Sequence, residues 1–184
     1  MKLWRRENDV LIHINRFTDF HSAASVCTPS RASLLTGRLG LRTGVTKNFH
    51  PESLYGLPLT EMTLAEILSK QGNYKTAMVG KWHLGTNPPY HPTYRGFQKY
   101  FGVPYSVDMG CTNNPGADIP ARKVCCAPAM GQNDSCSQEA PALPLYNSTG
   151  YNCSSNSLSC NGDIVEQPVN LTTLTKRYSD FAER

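Results

Sequence analysis

The residues best suited to chemistry lie in one short stretch, Val26 to Arg38, which reads V-C-T-P-S-R-A-S-L-L-T-G-R. Cys27 is a potential nucleophile, and Arg31 adds a planar, permanently charged group on the same stretch. Pro29 suits the first turn of a helix and Gly37 suits its end, so the pattern predicts a helix over residues 29–36. A helix N-terminus attracts anions because it carries free N–H groups and the positive end of the dipole. We therefore expect this stretch to hold a tetrahedral oxyanion beside a reactive side chain.

Two hydroxyl groups, those of Thr28 and Ser30, are candidates for the oxygen that caps this helix. Two other interpretations of the cysteine stay open. Cys27 can be a buried free thiol before an ordinary helix, because cysteine is among the residue types most often buried. It can also belong to a phosphatase loop built on a cysteine and an arginine, although such loops usually separate the two by more than the three residues found here.

A second set of chemically useful residues lies in the segment G-K-W-H-L-G, residues 80–85. It follows residues 74–79, which read as a short buried strand, and ligand sites in open α/β sheets gather beyond the carboxyl ends of strands. In an extended segment Lys81 and His83 project to the same side, and the flanking glycines allow the backbone to bend. One side chain supplies a fixed charge and the other exchanges a proton near neutral pH. Alone, this spacing is more typical of a solvated loop.

Together, the two stretches resemble the signatures of the type I sulfatases. The first signature, C-x-P-S-R-x-x-x-L-T-G, is filled at every fixed position from Cys27 to Gly37, and G-K-W-H-L-G is the second signature unaltered. A third family block, G-x-P-Y-S-x-D, is matched by residues 102–108 and places Ser106 at a sulfate-contacting position. Many relatives have histidine after that serine, where this chain has Val107. Over residues 17–184 the chain is most similar to the arylsulfatase G and arylsulfatase A branches of the family.

The resemblance implies a mechanism and a role for each residue. Cys27 is implied to be oxidised by a formylglycine-generating enzyme to Cα-formylglycine, whose hydrate attacks the sulfur of a sulfate ester. Arg31 is implied to stabilise the hydrate, Lys81 to contact the sulfate, and His83 to be a partner of the hydrate or the substrate. Ser106 is implied to bind sulfate. A calcium ion is implied to bind the formylglycine at position 27, but the aspartates and asparagine that complete the family's metal site have no counterpart in this sequence.

The surrounding elements predict an α/β fold that positions these residues. A capping box from Thr63 to Glu66 begins a helix that ends at Gly72 and leads into the strand at residues 74–79. Its apolar stripe consists of Leu64, Ile67 and Leu68. A helix that leads into a strand is half of a doubly wound unit, so we expect a mostly parallel sheet flanked by helices. The resemblance implies the same: part of an alkaline-phosphatase or sulfatase-like domain.

Other segments are predicted with less detail. Phe17 and Phe20 are interpreted as strand residues before the cysteine, and residues 39–59 as a loop. His91 is interpreted as a surface histidine. The final helix, within residues 170–184, carries apolar side chains at helical spacing that we expect to contact the core: Leu174, Tyr178 and Phe181.

The composition of the chain argues against a membrane-spanning protein and gives little support for a nucleic-acid-binding protein. The chain has 184 residues, 39% of them hydrophobic, with a formal net charge of +4. No apolar run is long enough to span a membrane, and the scattered basic residues give little support for nucleic-acid binding. Six of the seven cysteines fall in one polar stretch, and we expect them to form disulfides of undetermined pairing: Cys111, Cys125, Cys126, Cys136, Cys153 and Cys160.

Glycosylation sequons also indicate the secretory route, and hence a lysosomal or secreted protein. The four acceptors are Asn133, Asn147, Asn152 and Asn170. We divide the chain into an unmatched N-terminal extension (residues 1–16) and part of a sulfatase N-terminal catalytic domain (residues 17–184). The catalytic part contains a Cys-rich, disulfide-bonded insertion at residues 111–161.

The predicted activity is hydrolysis of sulfate esters, with a sulfated carbohydrate, a lipid or an aryl sulfate as substrate. Neither a signal peptide nor the carboxylate ligands are found, so we expect this polypeptide to be a fragment that is inactive alone. One alternative is a non-catalytic, Cys-rich secreted glycoprotein of sulfatase ancestry. Another is an enzyme that keeps the thiol of Cys27 unmodified.

Overall fold

The computed structural model describes residues 18–112, 141–149 and 163–184. The helices in these ranges are α1 (Cys27–Thr36), α2 (Gly40–Thr43), α3 (Leu64–Gln71) and α4 (Leu171–Ala182), with one turn of 3₁₀ helix at Pro92–Tyr94. The strands are β1 (Ala77–Val79), β2 (Lys99–Gly102), β3 (Leu145–Thr149) and β4 (Asp163–Glu166). None of the helices in these ranges is both long and apolar enough to cross a membrane. The predicted extension, residues 1–16, lies outside them.

The four strands form one sheet in the order β1-β2-β3-β4. β1 runs parallel to β2, whereas the β2–β3 and β3–β4 pairs are antiparallel. The α/β class is confirmed, but the described sheet is mixed where we expected it to be mostly parallel. That expectation came from α3 leading into β1, but α3 precedes β1, and the connection between the parallel strands β1 and β2 contains only the turn of 3₁₀ helix at Pro92–Tyr94. No comparable helical pattern separates β3 from β4, and antiparallel strands need no crossover helix.

Residues 141–149 contain β3, an inner strand of the described sheet, although the sequence analysis placed them inside the Cys-rich insertion. Leu143 and Leu145 are fully buried, and β3 lies between β2 and β4. The short apolar run A-L-P-L-Y, residues 142–146, includes the start of this strand, but the polar residues on both sides of it led to its assignment to the insertion. Cys111 is disulfide-bonded, and its partner lies outside the described ranges because the other cysteine in them, Cys27, is free. The remaining pairings stay predictions.

Two cores lie on opposite faces of β2, since neighbouring residues of a strand point to opposite sides. The first, which we call the α1-face core, contains Tyr100 of β2 together with Ala32, Val45, Leu57, Trp82 and Leu84. The second, the α4-face core, contains Phe101 of β2 together with Val103, Tyr105, Leu143, Leu145, Val169 and Leu174.

Helix α4 confirms the predicted core contacts. Asn170 caps it, with Oδ1 accepting a hydrogen bond from the Thr172 N–H at 3.0 Å. The rings of Tyr178 and Phe181 lie 5.9 Å and 5.0 Å, centroid to centroid, from the ring of Phe101. The aromatic side of α4 therefore covers the end of β2.

Helix α3 confirms its capping box but not its buried stripe. The Glu66 N–H donates to Thr63 Oγ1 at 3.1 Å, and the Thr63 N–H donates to the Glu66 carboxylate at 2.6 Å. Leu64, however, is 50% exposed, whereas Ala65 is buried. The small residue faces inward because the backbone at Gly96 passes very close: a Cβ there would lie 2.3 Å from the Glu66 nitrogen. The face of α3 that packs is thus selected by close backbone approach rather than by its largest apolar side chains.

Several local expectations differ from the structure. The strand predicted at residues 74–79 is shortened to β1, which is exposed to half-buried because it lies at the edge of the described sheet. Residues 18–26 form no strand, and Phe20 is 70% exposed. The predicted loop at residues 39–59 contains α2. His91 is buried, not on the surface, because its ring packs against those of Tyr100 and Tyr146.

Candidate active site

Cys27 is the first residue of α1, and its side chain is free and half-buried. The preceding residue, Val26, has an extended backbone, and no side chain caps the helix. The prediction that Thr28 or Ser30 supplies the cap is wrong because both lie inside the helix. The C-terminal end is confirmed: Gly37 has a φ of 68° and its N–H donates to the Ser33 carbonyl at 2.8 Å.

Arg31, one turn further along α1, joins this helix to the segment 80–85. Its Nη1 donates to the Lys81 carbonyl oxygen at 2.6 Å. Burial lowers the pKa of the Arg31 guanidinium, and its electrostatic interactions with Cys27 and Tyr100 act in the opposite direction. The arginine thus lies between the cysteine and the lysine segment, as a group that links the two sequence signatures.

The segment 80–85 runs alongside the residues that end and follow β2. The N–H groups of Gly80, Trp82 and His83 donate to the carbonyls of Phe101, Val103 and Pro104 at 2.9 Å, 3.0 Å and 2.9 Å, respectively. At position 102 only glycine fits, since a Cβ there would lie 1.9 Å from the Gly80 oxygen. This close approach brings the second signature beside the third, which contains Ser106.

His83 has an unusual backbone conformation. Its φ of 60° lies in the left-handed region, so the segment is not extended throughout as we expected. Lys81 is half-buried and His83 is buried. Burial lowers the pKa of His83, and the charges of Lys81 and Arg31 lower it further, against the opposing effects of the Phe49 carbonyl and Asp108. The imidazole is therefore neutral near pH 7 and lies in a cationic environment.

The hydrogen bond made by the His83 ring fixes its tautomer. Nε2 lies 3.0 Å from the Phe49 carbonyl oxygen, which can only accept, so Nε2 carries the proton. Nδ1 is buried and has no hydrogen-bond partner among the residues that the structure describes. The ring thus has a lone pair at Nδ1 available for a donor that enters the site.

Ser106 is half-buried, and its hydroxyl donates to the carboxylate of Asp108. Sequence reasoning assigned no role to Asp108, although it is the last fixed residue of G-x-P-Y-S-x-D. It also missed the contacts of Thr28 and Asn48, which lie against His83 and α1, respectively. Thr28 fills the unspecified position of the first signature, and no sequence pattern singles out Asn48.

The surface in front of Cys27 is concave. A depression of about 330 Å³ is lined by residues of α1 and of the stretch before it. They are Ser22, Ala24, Ser25, Val26, Cys27, Ser30, Arg31 and Leu34. Cys27 and Arg31 therefore border one open recess that a small anion can enter.

The described ranges contain no group of three or more His, Cys, Asp or Glu side chains placed to hold a metal ion. Calcium prefers six to eight oxygen ligands, mainly carboxylates and carbonyls. The residues described here do not form a calcium site by themselves.

Comparison with known proteins identifies the family. The family model described as Sulfatase matches residues 8–159. The chain belongs to the sulfatase family. Arylsulfatase G of Rattus norvegicus is 53% identical over 175 residues, which cover 91% of this chain and 30% of the relative. Arylsulfatase A of Bos taurus is 41% identical over 170 residues, covering 91% of this chain and 29% of the relative.

A solved structure shares the fold. The crystal structure of the PsFucS1 sulfatase from Pseudoalteromonas sp. superposes with a TM-score of 0.57 and 24% identity, covering 85% of this chain and 29% of that one. The resemblance to the sulfatases, and to their arylsulfatase branches, is confirmed. The chain spans about three tenths of the length of the curated relatives named above.

Proposed function

We propose that this chain carries the nucleophile-bearing part of an active site that hydrolyses sulfate esters. The observation that carries the proposal is the 2.6 Å hydrogen bond from Arg31 Nη1 to the Lys81 carbonyl. This bond places the cysteine signature and the lysine–histidine signature of a sulfatase-family chain against each other. Arg31 borders the recess in front of Cys27, and its bond to the Lys81 carbonyl brings the segment that carries Lys81 and the neutral His83 next to α1, an arrangement that suits a sulfate group.

The site can accommodate a formylglycine at position 27. The aldehyde replaces the sulfur of the side chain by oxygen and adds no heavy atom, and its hydrate adds one oxygen beside the open recess. The hydrate, once formed, supplies an oxygen nucleophile for attack on sulfur. We infer that a formylglycine-generating enzyme acts on Cys27 during synthesis, because Pro29 and Arg31 occupy the positions that such an enzyme reads.

The chain's own residues act by charge and by hydrogen bonding. Arg31 and Lys81 are fixed positive groups that stabilise negative charge as it spreads over the sulfuryl oxygens. His83 accepts a hydrogen bond at Nδ1 and so orients a hydroxyl group at position 27. Ser106 donates to a sulfate oxygen once its hydroxyl turns from Asp108.

The cellular context follows from the same proposal. We infer a lysosomal or secreted glycoprotein whose substrate is a sulfated carbohydrate, a sulfated lipid or an aryl sulfate. Among the four sequons, Asn147 is exposed on β3 and Asn170 is half-buried at the start of α4. Asn133 and Asn152 lie outside the described ranges.

The test is the chemical state of position 27. After expression through the secretory pathway, trypsin releases the peptide of residues 17–31, which contains Cys27. We expect mass spectrometry to show this peptide without the sulfur and two hydrogens and with one added oxygen. Pro29→Ala should lower the converted fraction strongly, whereas Ser25→Ala, just outside the signature, should leave it unchanged. An intact or disulfide-bonded thiol in the unaltered chain contradicts the proposal.

A further inference from the structure

Thr28 occupies the unspecified position of the cysteine signature, yet it makes more contacts than a spacer would. The residue is completely buried. Its hydroxyl donates to the His83 carbonyl at 3.0 Å and accepts from the Phe49 N–H at 3.4 Å. Its backbone N–H donates to Oδ1 of Asn48 at 2.9 Å. The residue beside the nucleophile therefore connects α1 to residues 48–49 and to His83.

These contacts close a ring of hydrogen bonds around His83. Thr28 holds the His83 carbonyl and the Phe49 N–H, and the Phe49 carbonyl accepts the proton of His83 Nε2 at 3.0 Å. The backbone and the imidazole of His83 are thus fixed to the same two residues. Because Nε2 donates to the Phe49 carbonyl, Nδ1 is the ring nitrogen that can still accept a hydrogen bond from a ligand.

The backbone of His83 needs this support. A left-handed conformation is unfavourable for a residue other than glycine, and it persists only where its surroundings hold it. The His83 N–H is held by the Pro104 carbonyl at 2.9 Å, and its carbonyl is held by Thr28. Without the Thr28 hydroxyl, the His83 carbonyl and the Phe49 N–H both lose this partner.

We propose that Thr28 and Asn48 are positioning residues for His83. They hold its imidazole as the Nε2–H tautomer, with the Nδ1 lone pair directed to accept a hydrogen bond from the hydroxyl of the nucleophile made at Cys27. The identity of that donor rests on the proposed function, whereas the tautomer is a property of the chain itself. Thr28 acts through His83 and Phe49 rather than on the substrate.

The tautomer is measured by NMR of the full chain with ¹⁵N-labelled histidine at neutral pH, where protonated and unprotonated ring nitrogens give distinct shifts. The signal is assigned with His83→Gln. We expect a single Nε2–H tautomer in the unaltered chain and in Thr28→Ser, which keeps the hydroxyl. Thr28→Val has nearly the same volume without the hydroxyl and should give a mixture of tautomers. Asn48→Ala should give a smaller change in the same direction.

A matched control separates positioning from general loss of stability. Thr43 is also buried, and its hydroxyl also bridges two backbone groups, the Gly40 carbonyl and the Val45 N–H, each at 3.3 Å. Thr43→Val should lower the urea midpoint without changing the His83 signal. The proposal is overturned if Thr28→Val keeps the single tautomer or if Thr28→Ser loses it.

Should Thr28→Val fail to fold, Asn48→Ala and Thr28→Ser decide: a single tautomer in Asn48→Ala, or a mixture in Thr28→Ser, overturns the proposal. The outcome is independent of the proposed function. An intact thiol at Cys27 contradicts that function and leaves the tautomer result unaffected.

Discussion

The two faces of β2 differ in how their buried polar groups are satisfied. Within the described ranges, the α1 face carries five buried polar atoms without a hydrogen-bond partner: Ser33 Oγ, His83 Nδ1, His91 Nε2, Tyr100 Oη and Ser148 Oγ. On the α4 face, Tyr178 Oη lies near the Val103 backbone, and a hydrogen bond with that backbone acts to lower the tyrosine's pKa against the effect of burial. We assign Ser148 to the α1 face because it lies directly opposite Tyr100 in the antiparallel β2–β3 pair, and directly opposite residues point to the same face of a sheet.

The difference indicates that the α4 face contributes mainly to stability, whereas the α1 face carries the candidate site. A buried polar group without a partner costs about 1–3 kcal/mol, so the α1 face gives up stability that the α4 face keeps. The left-handed backbone of His83 lies on the same side. At the candidate site, His83 thus combines a left-handed backbone with an unpaired ring nitrogen, whereas α4 covers the other face with aromatic and aliphatic contacts.

The largest expected effect comes from opening the α4 face. Phe101 is 7% exposed and packs against Tyr178 and Phe181. Phe101→Ala should lower the free energy of unfolding by about 3–5 kcal/mol, because it removes the ring and leaves a cavity. Urea denaturation followed by circular dichroism measures the change.

Two further variants accompany that measurement. Phe101→Leu keeps most of the volume and should cost less than about 1.5 kcal/mol. Leu54→Ala, at a residue that is 81% exposed, should stay within about 0.5 kcal/mol of the unaltered chain. A loss below about 1 kcal/mol for Phe101→Ala contradicts the assignment of this face as the main source of stability.

The α1 face should respond to pH through His91. Burial lowers the pKa of His91 to about 4, below the value of about 6.5 expected in the unfolded chain. Between these values the unfolded chain binds the proton more readily, so stability falls as the pH decreases from about 6.5 to about 4. The loss attributable to His91 should reach about 3 kcal/mol at pH 4.

The measurement compares the unaltered chain with His91→Gln in urea across this pH range. The variant should be less stable at pH 7, since its ring no longer packs between Tyr100 and Tyr146, and the difference should shrink as the pH falls. His50→Gln, at an exposed histidine, should follow the unaltered chain. A constant difference between the unaltered chain and His91→Gln would disprove the assignment.

The sequence predicted the parts of this fold that depend on local chemistry. The end of α1 at Gly37, the capping box of α3 and the aromatic spacing of α4 all follow from propensity and periodicity over a few residues. The sequence did not predict the burial of His91 or the tautomer of His83. Both depend on segments distant along the chain that meet only after folding, such as Phe49 against His83.

The helices on the two faces of β2 also differ in how their N-termini are capped, and this difference should have the smallest effect on stability. α4 begins at a capped residue, with Asn170 Oδ1 accepting from the Thr172 N–H and, at 2.6 Å, from the Thr172 hydroxyl. α1, which carries Cys27, begins without a side-chain cap. Because a cap contributes about 1 kcal/mol, Asn170→Ala should lower the free energy of unfolding by that amount.

Asn170→Asp is the matched variant for this test. It removes the glycosylation sequon but keeps the capping oxygen, so in unglycosylated protein its urea midpoint should match that of the unaltered chain. If Asn170→Ala is as stable as Asn170→Asp, the cap contributes nothing, and the contrast between a stabilised helix start on α4 and an open one at Cys27 fails. If only Asn170→Ala loses stability, the open start of α1 is the exception among the longer helices described here, and it coincides with the residue proposed to become the nucleophile.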